Sequence, residues 1–164
     1  MVRPYADGDS DALWELKRGF ETGLGEGTGG PEKAATYEAK LDADYREQWL
    51  AWVDRCVDEQ ERCVQVAPSG EGDGLAGYAF VLPESMAFVW DAAVLNEIYV
   101  RPEHRGTGVA DDLLAAALAF ARDQDLPLDR MVLDVDRKNE RAQRFYERNG
   151  FEHWGEMVAR ELSE

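Results

Sequence analysis

Two glycines one residue apart stand in Arg105 to Ala110, RGTGVA, between an extended apolar segment, LNEIYV, and a helical one, ADDLLAAALAFA. A chain gives up side chains at such a junction for one of two reasons. The turn needs backbone angles that only glycine adopts freely, or another group must come very close to the backbone. A strand that runs straight into a helix also leaves the first helical N–H groups without partners, and the helix dipole there favours an anion. RGTGVA is therefore placed to cradle a phosphate or pyrophosphate, and a turn serving its own geometry is the competing reading. It is not a Walker loop, because no Gly-Lys-Ser/Thr ending follows. A dinucleotide fingerprint would need a third glycine where Asp111 stands.

The pattern around this junction predicts an α/β (α+β) chain. Leu13, Leu16 and Phe20 share one face of a first helix, Ser10 to Glu21, with Ser10 as its N-cap candidate. The stretch Gly25 to Pro31, GEGTGGP, reads as a loop. A second helix is expected from Tyr37 to Val57, where apolar residues recur every three or four positions. Cys63 to Ala67 and Leu75 to Leu82 form a hairpin around SGEGDG. Ala92 to Val100 is the next strand, Val109 to Gln124 a helix, and MVLDV, Met131 to Val135, a buried strand. Asn139 to Asn149 is a last helix closed by Gly150, and Phe151 to Leu162 is expected to end the chain as a strand or hairpin. A strand, a crossover helix and a second strand imply a parallel pair inside a mixed sheet with helices on its faces.

At 164 residues the chain fits one domain, 1–164, with a proper core. No apolar run is long enough to span a bilayer, and the N-terminus lacks a signal-peptide pattern, so a cytoplasmic protein is expected. Thirty-four acidic residues against 18 basic ones give a net charge of −16. Such a surface repels nucleic acid and anionic membranes, and neither is expected as a partner. The acids are spread along the chain, which favours a halophile-like adaptation that keeps an acidic protein soluble over recruitment of a cationic substrate. Cys56 and Cys63 match no metal or redox spacing and read as free thiols; no metal site is expected.

A wider stretch, Val100-Arg-Pro-Glu-His-Arg105-Gly-Thr-Gly-Val-Ala110, resembles the signature of the GNAT family of N-acetyltransferases, Arg/Gln-x-x-Gly-x-Gly/Ala, which Arg105, Gly108 and Ala110 fill. A later segment is similar to that family's Asn-x-x-Ala-x-x-Phe-Tyr-x-x-x-Gly-Phe: Asn139, Ala142, Phe145, Tyr146, Gly150 and Phe151 occupy every named position. The resemblance is sharp from Leu95 to Phe151; in the first ninety residues, which fit the fold, only the weakly specific start Val2-Arg3-Pro4 is similar. It implies a mixed, mostly antiparallel, twisted sheet of six to seven strands with about four helices. The central pair, Ala92 to Val100 and Met131 to Val135, would splay into a cleft.

By the same resemblance, acetyl-CoA is the acetyl donor and a primary amine, in a small molecule or a protein, is the acceptor. The donor's pantetheine arm would lie along Ile98, Tyr99 and Val100. Its pyrophosphate would meet Arg105, Gly106, Thr107, Gly108, Val109 and Ala110. Glu97 is the candidate base that takes the amine's proton, with a sheet salt bridge as the competing role. Tyr146 is the candidate acid for the departing thiolate, with core packing beside Phe145 as the competing role. Asn139 is expected to cap its helix, to bond the donor's amide, or both. Strand alternation would put Asn96 and Glu97 on opposite faces, so that only one meets the cleft. Phe88 and Trp90 are candidates for the acceptor pocket, the core or a dimer contact. Trp49, Trp52 and Trp154 are candidates for a homodimer interface. Transfer of another acyl group, a hydroxyl acceptor and a non-catalytic CoA-binding sensor are the alternatives.

Overall fold

The computed structural model describes residues 1–28, 30–136 and 138–163. In chain order the elements are β1 (Arg3–Pro4), α1 (Ser10–Thr28), α2 (Gly30–Ala39), α3 (Ala43–Glu59), β2 (Val64–Pro68), β3 (Leu75–Val81), α4 (Glu84–Ala87), β4 (Ala93–Val100), α5 (Val109–Arg122), β5 (Met131–Val132) and α6 (Glu140–Arg148). The strands lie side by side in that order. Neighbours are antiparallel from β1 to β4, and β4 to β5 is the parallel pair that the crossover pattern predicts.

Why helices cover both faces follows from β3. Its residues, LAGYAFV, are buried without exception, so neither face of the strand meets solvent. On one face Phe80 packs against Trp52 of α3, ring centroids 5.2 Å apart, and Tyr78 donates to Glu97, which in turn holds Lys17 of α1. On the other face Gly77 meets α5: a Cβ there would stand 3.1 Å from Leu113 and 2.5 Å from the Tyr99 carbonyl oxygen. The α1 stripe lies where the periodicity put it, with Leu13 and Leu16 wholly buried. Each such leucine contributes about 1.5–3 kcal/mol.

Several expectations are corrected. Five strands and six α-helices form among the described residues, against six to seven strands and about four helices. The helix begun at Ser10 does not stop at Glu21 but runs to Thr28, and α2 starts at Gly30, so GEGTGGP is largely helical; Gly29 lies outside the described residues. Two packed helices override the cost of their glycines, about 1 kcal/mol each. The packing is a hairpin, since Lys40 beyond α2 reaches Glu21 of α1 at 3.0 Å. Ser10 is no N-cap, because a 3-10 turn over Asp7–Asp9 leads into α1 and Ser10 already has helical angles. The expected helix from Tyr37 to Val57 breaks before Ala43, where the Asp42 side chain caps α3 by accepting from the Tyr45 N–H. β5 ends at Val132 rather than Val135. The segment after Phe151 forms no strand among the described residues. Its apolar residues, Trp154, Met157, Val158 and Leu162, lack the period of two that would bury one face.

Cys56 and Cys63 are free and buried, and burial lifts their thiols to about 11 and about 12. Among the described residues no helix is long and apolar enough to cross a membrane, and no cluster of three or more His, Cys, Asp or Glu could hold a metal.

Candidate active site

The site begins with one extra residue in β4. Val81 of β3 faces Leu95 and Phe80 faces Glu97, which leaves Asn96 unpaired in a β-bulge. The consequence can be read from two hydrogen bonds. The Leu82 N–H donates to the Val94 carbonyl at 2.9 Å, and the Arg101 N–H donates to the Ala76 carbonyl at 2.8 Å. Val94 and Arg101 therefore both turn toward β3, which residues an odd number apart do only if a bulge intervenes. Past the bulge, Glu97 and Tyr99 turn their backbone to β3, while Ile98 and Val100 turn theirs to the opposite edge. Arg105 meets that edge, its Nε donating to the Val100 carbonyl at 3.0 Å.

On this side β5 has little to offer. It pairs with β4 only at Ala93–Met131 and Val94–Val132. The two strands part after two rungs, and a gap opens beside Ile98 and Val100. Of the three backbone positions expected along the cleft, Ile98 and Val100 present N–H groups to it and Tyr99 does not.

The same bulge corrects the expectation for Asn96 and Glu97. They do not point to opposite faces; both line one cavity of about 410 Å³, and the Asn96 amide lies 3.4 Å from the Glu97 carboxylate. Glu97 is buried and both its oxygens are engaged. Oε1 accepts from the Tyr78 hydroxyl at 2.6 Å, and Oε2 accepts from Lys17 Nζ at 2.7 Å. Lys17 is held on its other side by Glu21 at 2.6 Å, and Glu21 by Lys40 at 3.0 Å. Burial lifts the Glu97 carboxyl above its ordinary range, and the Lys17 ammonium and the bonds from Lys17 and Tyr78 oppose it. For Lys17, burial alone would lower the ammonium, but Glu97 and Glu21 outweigh it and the net shift is upward. The Tyr78 phenol is pushed well up, by burial first and by Glu97 next. The strand carboxylate is thus a catalytic candidate and a salt-bridge partner at once.

Lys17, Glu21, Lys40 and Tyr78 are not candidates that the sequence alone singles out. One signal for two of them is present in it: Lys17 and Glu21 continue the apolar stripe that starts at Leu13, four residues at a time. Charges on a buried face imply a pair.

At the end of β4 the RGTGVA turn adopts positive φ at both glycines, 77° at Gly106 and 91° at Gly108, and Gly108 is the N-cap of α5. No atom lies within 4 Å of a Cβ built at either position. The glycines are thus required by the turn itself, and the space outside them is open. Thr107 donates its hydroxyl to the His104 carbonyl, which tightens the turn. Alongside runs a groove of about 870 Å³ whose lining includes Arg18, Arg105, Arg141 and Tyr99. Arg105 lies over the Tyr99 ring at 5.6 Å, and burial, with Arg141 adding, lowers its guanidinium from its usual value. Gly19 lets α1 close on this groove, since a Cβ there would stand 2.5 Å from the Tyr99 hydroxyl oxygen.

Tyr146 sits in the last turn of α6. A Schellman motif ends that helix: Phe151 N–H donates to the Tyr146 carbonyl at 3.0 Å and Gly150 N–H to the Glu147 carbonyl at 3.1 Å, with Gly150 at φ 90°. The rings of Phe145 and Phe151 pack edge-on against Tyr146, and burial lifts its phenol to about 12. Asn139 caps the helix, its Oδ1 accepting from the Ala142 N–H at 3.2 Å. Of the aromatic candidates, Trp49 is buried and Trp52 partly so, and both line the Glu97 cavity rather than an outer surface. Phe88 and Trp90 are exposed and lie outside that lining, and Trp154 is exposed under Arg130.

A bulged central strand, a parallel neighbour that leaves it after two rungs, and a glycine turn opening onto a helix make up one α/β scaffold. The Acetyltransferase (GNAT) family matches residues 30–151, and the chain belongs to it. A mycothiol acetyltransferase of Salinispora tropica is 42 % identical over 135 residues, which is 80 % of this chain and 39 % of that protein. One from Thermobispora bispora is 30 % identical over 164 residues, 87 % of this chain and 54 % of that protein. The chain thus spans about two fifths to about half the length of these relatives. Among solved structures, AAC(6')-Iy in complex with the bisubstrate analogue CoA-S-monomethyl-acetylneamine has the same fold. Its TM-score is 0.67 at 15 % identity, over 99 % of this chain and 97 % of that one.

Proposed function

We propose that the chain is an acetyl-CoA-dependent N-acetyltransferase that moves the acetyl group to a primary amine by direct attack, with donor and acceptor bound together. The observation that carries this is the bulge at Asn96, which aims Ile98 and Val100 backbone into the gap beside β4 at the point where the glycine turn begins. The relatives named for acetyl transfer, and a neighbour of the same fold holding a CoA-based analogue, support it.

Acetyl-CoA supplies the activated thioester. The free edge at Ile98 and Val100 receives an amide-bearing arm as an added strand. The N–H groups of Gly108, Val109 and Ala110, with the Arg105 guanidinium and the bared backbone of Gly106 and Thr107, take the phosphates. An alkyl amine has a pKa of about 10 and must lose a proton before it attacks, and Glu97 takes that proton. The Val100 N–H donates to the oxyanion that develops. Tyr146, neutral at working pH with its phenol at about 12, gives its proton to the departing thiolate. The Asn139 amide N–H₂ is left to bond the donor while its oxygen caps α6.

Calorimetric titration with acetyl-CoA tests the donor site, beside Gly108→Glu and Gly108→Gln. Both variants put the same strain on a positive φ, and only one adds a charge. Wild type binds, Gly108→Gln binds more weakly, and Gly108→Glu weaker again by about tenfold or more. A wild type that fails to bind acetyl-CoA overturns the reading. Donor binding without thiol release for any amine would leave a CoA-binding module instead of an enzyme.

A further inference from the structure

The cavity around Glu97 holds two ammonium groups of the protein's own. Lys17 is clamped between Glu21 at 2.6 Å and Glu97 at 2.7 Å, and Lys40 lies on Glu21 at 3.0 Å. The same two cations occupy the aromatic faces. Lys17 stands 5.1 Å from the Trp49 ring centre, and Lys40 stands 5.2 Å from that of Tyr45 and 5.1 Å from that of Tyr37. Both carboxylates and the rings of Trp49, Tyr45 and Tyr37 are therefore already engaged by lysine, and of the carboxylate oxygens Glu21 Oε2 is left buried without a hydrogen-bond partner. The carboxylates and the ammonium groups balance in number. This balance stands out in a chain with only Lys17, Lys33, Lys40 and Lys138 as lysines and a net charge of −16.

Resting on the reading of this cavity as the acceptor side of the acetyl transfer, we infer that the acceptor is an amine with one positive charge on an otherwise uncharged body bearing a flat apolar ring, and that Lys40 excludes diamines and polyamines. The acidic surface points to polycations; the cavity points the other way. One ammonium can reach Glu21 Oε2, which is buried without a hydrogen-bond partner; a second finds both oxygens of Glu97 and Oε1 of Glu21 already taken and meets Lys17 and Lys40 as like charges. A ring finds Trp52, a partly buried wall of the same cavity, to stack on. Lys40 is the selective element because its side chain is 38 % exposed, at the edge of the cavity, whereas that of Lys17 is 3 % exposed and belongs to the Glu97 pair.

The test uses 2-phenylethylamine, 1,4-diaminobutane and spermidine on wild type, Lys40→Met and Lys40→Arg. Binding is read by tryptophan fluorescence in the presence of CoA, and turnover by thiol release from acetyl-CoA. Wild type is expected to bind the monoamine about tenfold or more tighter than either polyamine. Lys40→Met is expected to shrink that ratio about tenfold, and Lys40→Arg to keep it. Equal or tighter binding of a polyamine by wild type, an unchanged ratio in Lys40→Met, or no binding of any of the three amines overturns the inference. Selective binding without thiol release upholds the acceptor class and overturns the acetyl-transfer reading.

Discussion

Glu97 is the residue on which the chemistry turns, and its neighbours set when it can act. Lys17 and Glu21 face it from α1, Tyr78 faces it from β3, and Asn96 lies beside it on β4. Burial lifts its pKa and Lys17 pulls it back. The sign for activity follows: a base must be ionised, so removing the ammonium leaves burial opposed only by the Tyr78 hydrogen bond, and Glu97 stays protonated to higher pH. The acid limb of kcat/KM in Lys17→Met is expected to move to higher pH, and Lys17→Arg is expected to restore it. A limb that stays in place in an active Lys17→Met protein would detach Lys17 from the base. Breaking a buried pair also costs about 3–5 kcal/mol, so the variant's melting temperature is measured alongside. Tyr146→Phe keeps the ring packed between Phe145 and Phe151 and removes only the hydroxyl that carries the proton. Its kcat is expected to fall about 100-fold or more with little change in melting temperature, as steady-state kinetics and thermal denaturation would read. An unchanged kcat would leave Tyr146 as a core aromatic.

At the scale of elements, what the sequence reveals and what it hides divide along one line. RGTGVA and Asn139 to Gly150 are legible because turns and caps are local chemistry: a positive φ, an N-cap oxygen and a Schellman glycine each speak for a few residues. The bulge at Asn96 is not legible, since a bulge exists only relative to the partner strand, and no pattern within LNEIYV reveals it. The same holds for Lys17 and Glu97, which lie 80 residues apart in sequence. The hairpin of α1 and α2 escapes a sequence reading because glycine's cost is local, whereas the packing that offsets it is not. Element-scale logic gives its own prediction at Gly150. A Cβ there meets no atom within 4 Å, so Gly150→Ala costs only its left-handed backbone, about 1–2 kcal/mol. Thermal denaturation should show that loss. Because the same motif holds the Tyr146 carbonyl, activity should fall by more than the lost stability explains. A variant as stable as wild type would mean that α6 can end without the motif.

Charge governs the molecule as a whole. A net charge of −16 on 164 residues works against the compact state, because every acid spread over the surface repels the others. The ladder from Lys40 through Glu21 and Lys17 to Glu97 is compensated internally, and all of it but Lys40 is shielded from solvent, so salt should leave the Glu97 pair almost untouched. Surface repulsion is different. At 1 M salt the Debye length is about 3 Å, shorter than the spacing between most surface charges, and the repulsion is largely screened. The melting temperature is therefore expected to rise steadily from about 0.01 M to about 1 M sodium chloride, most steeply at the low end, where the Debye length falls from about 30 Å to about 10 Å. The acid limb of kcat/KM should stay in place over the same range, because it belongs to the shielded ladder. Circular-dichroism melts and pH–rate profiles across the salt series would test both. A melting temperature that falls with salt would mean that surface ion pairs such as Arg62–Asp123 and Arg46–Asp11 outweigh the excess of acids. A limb that moves with salt would mean that the ladder is open to solvent during turnover.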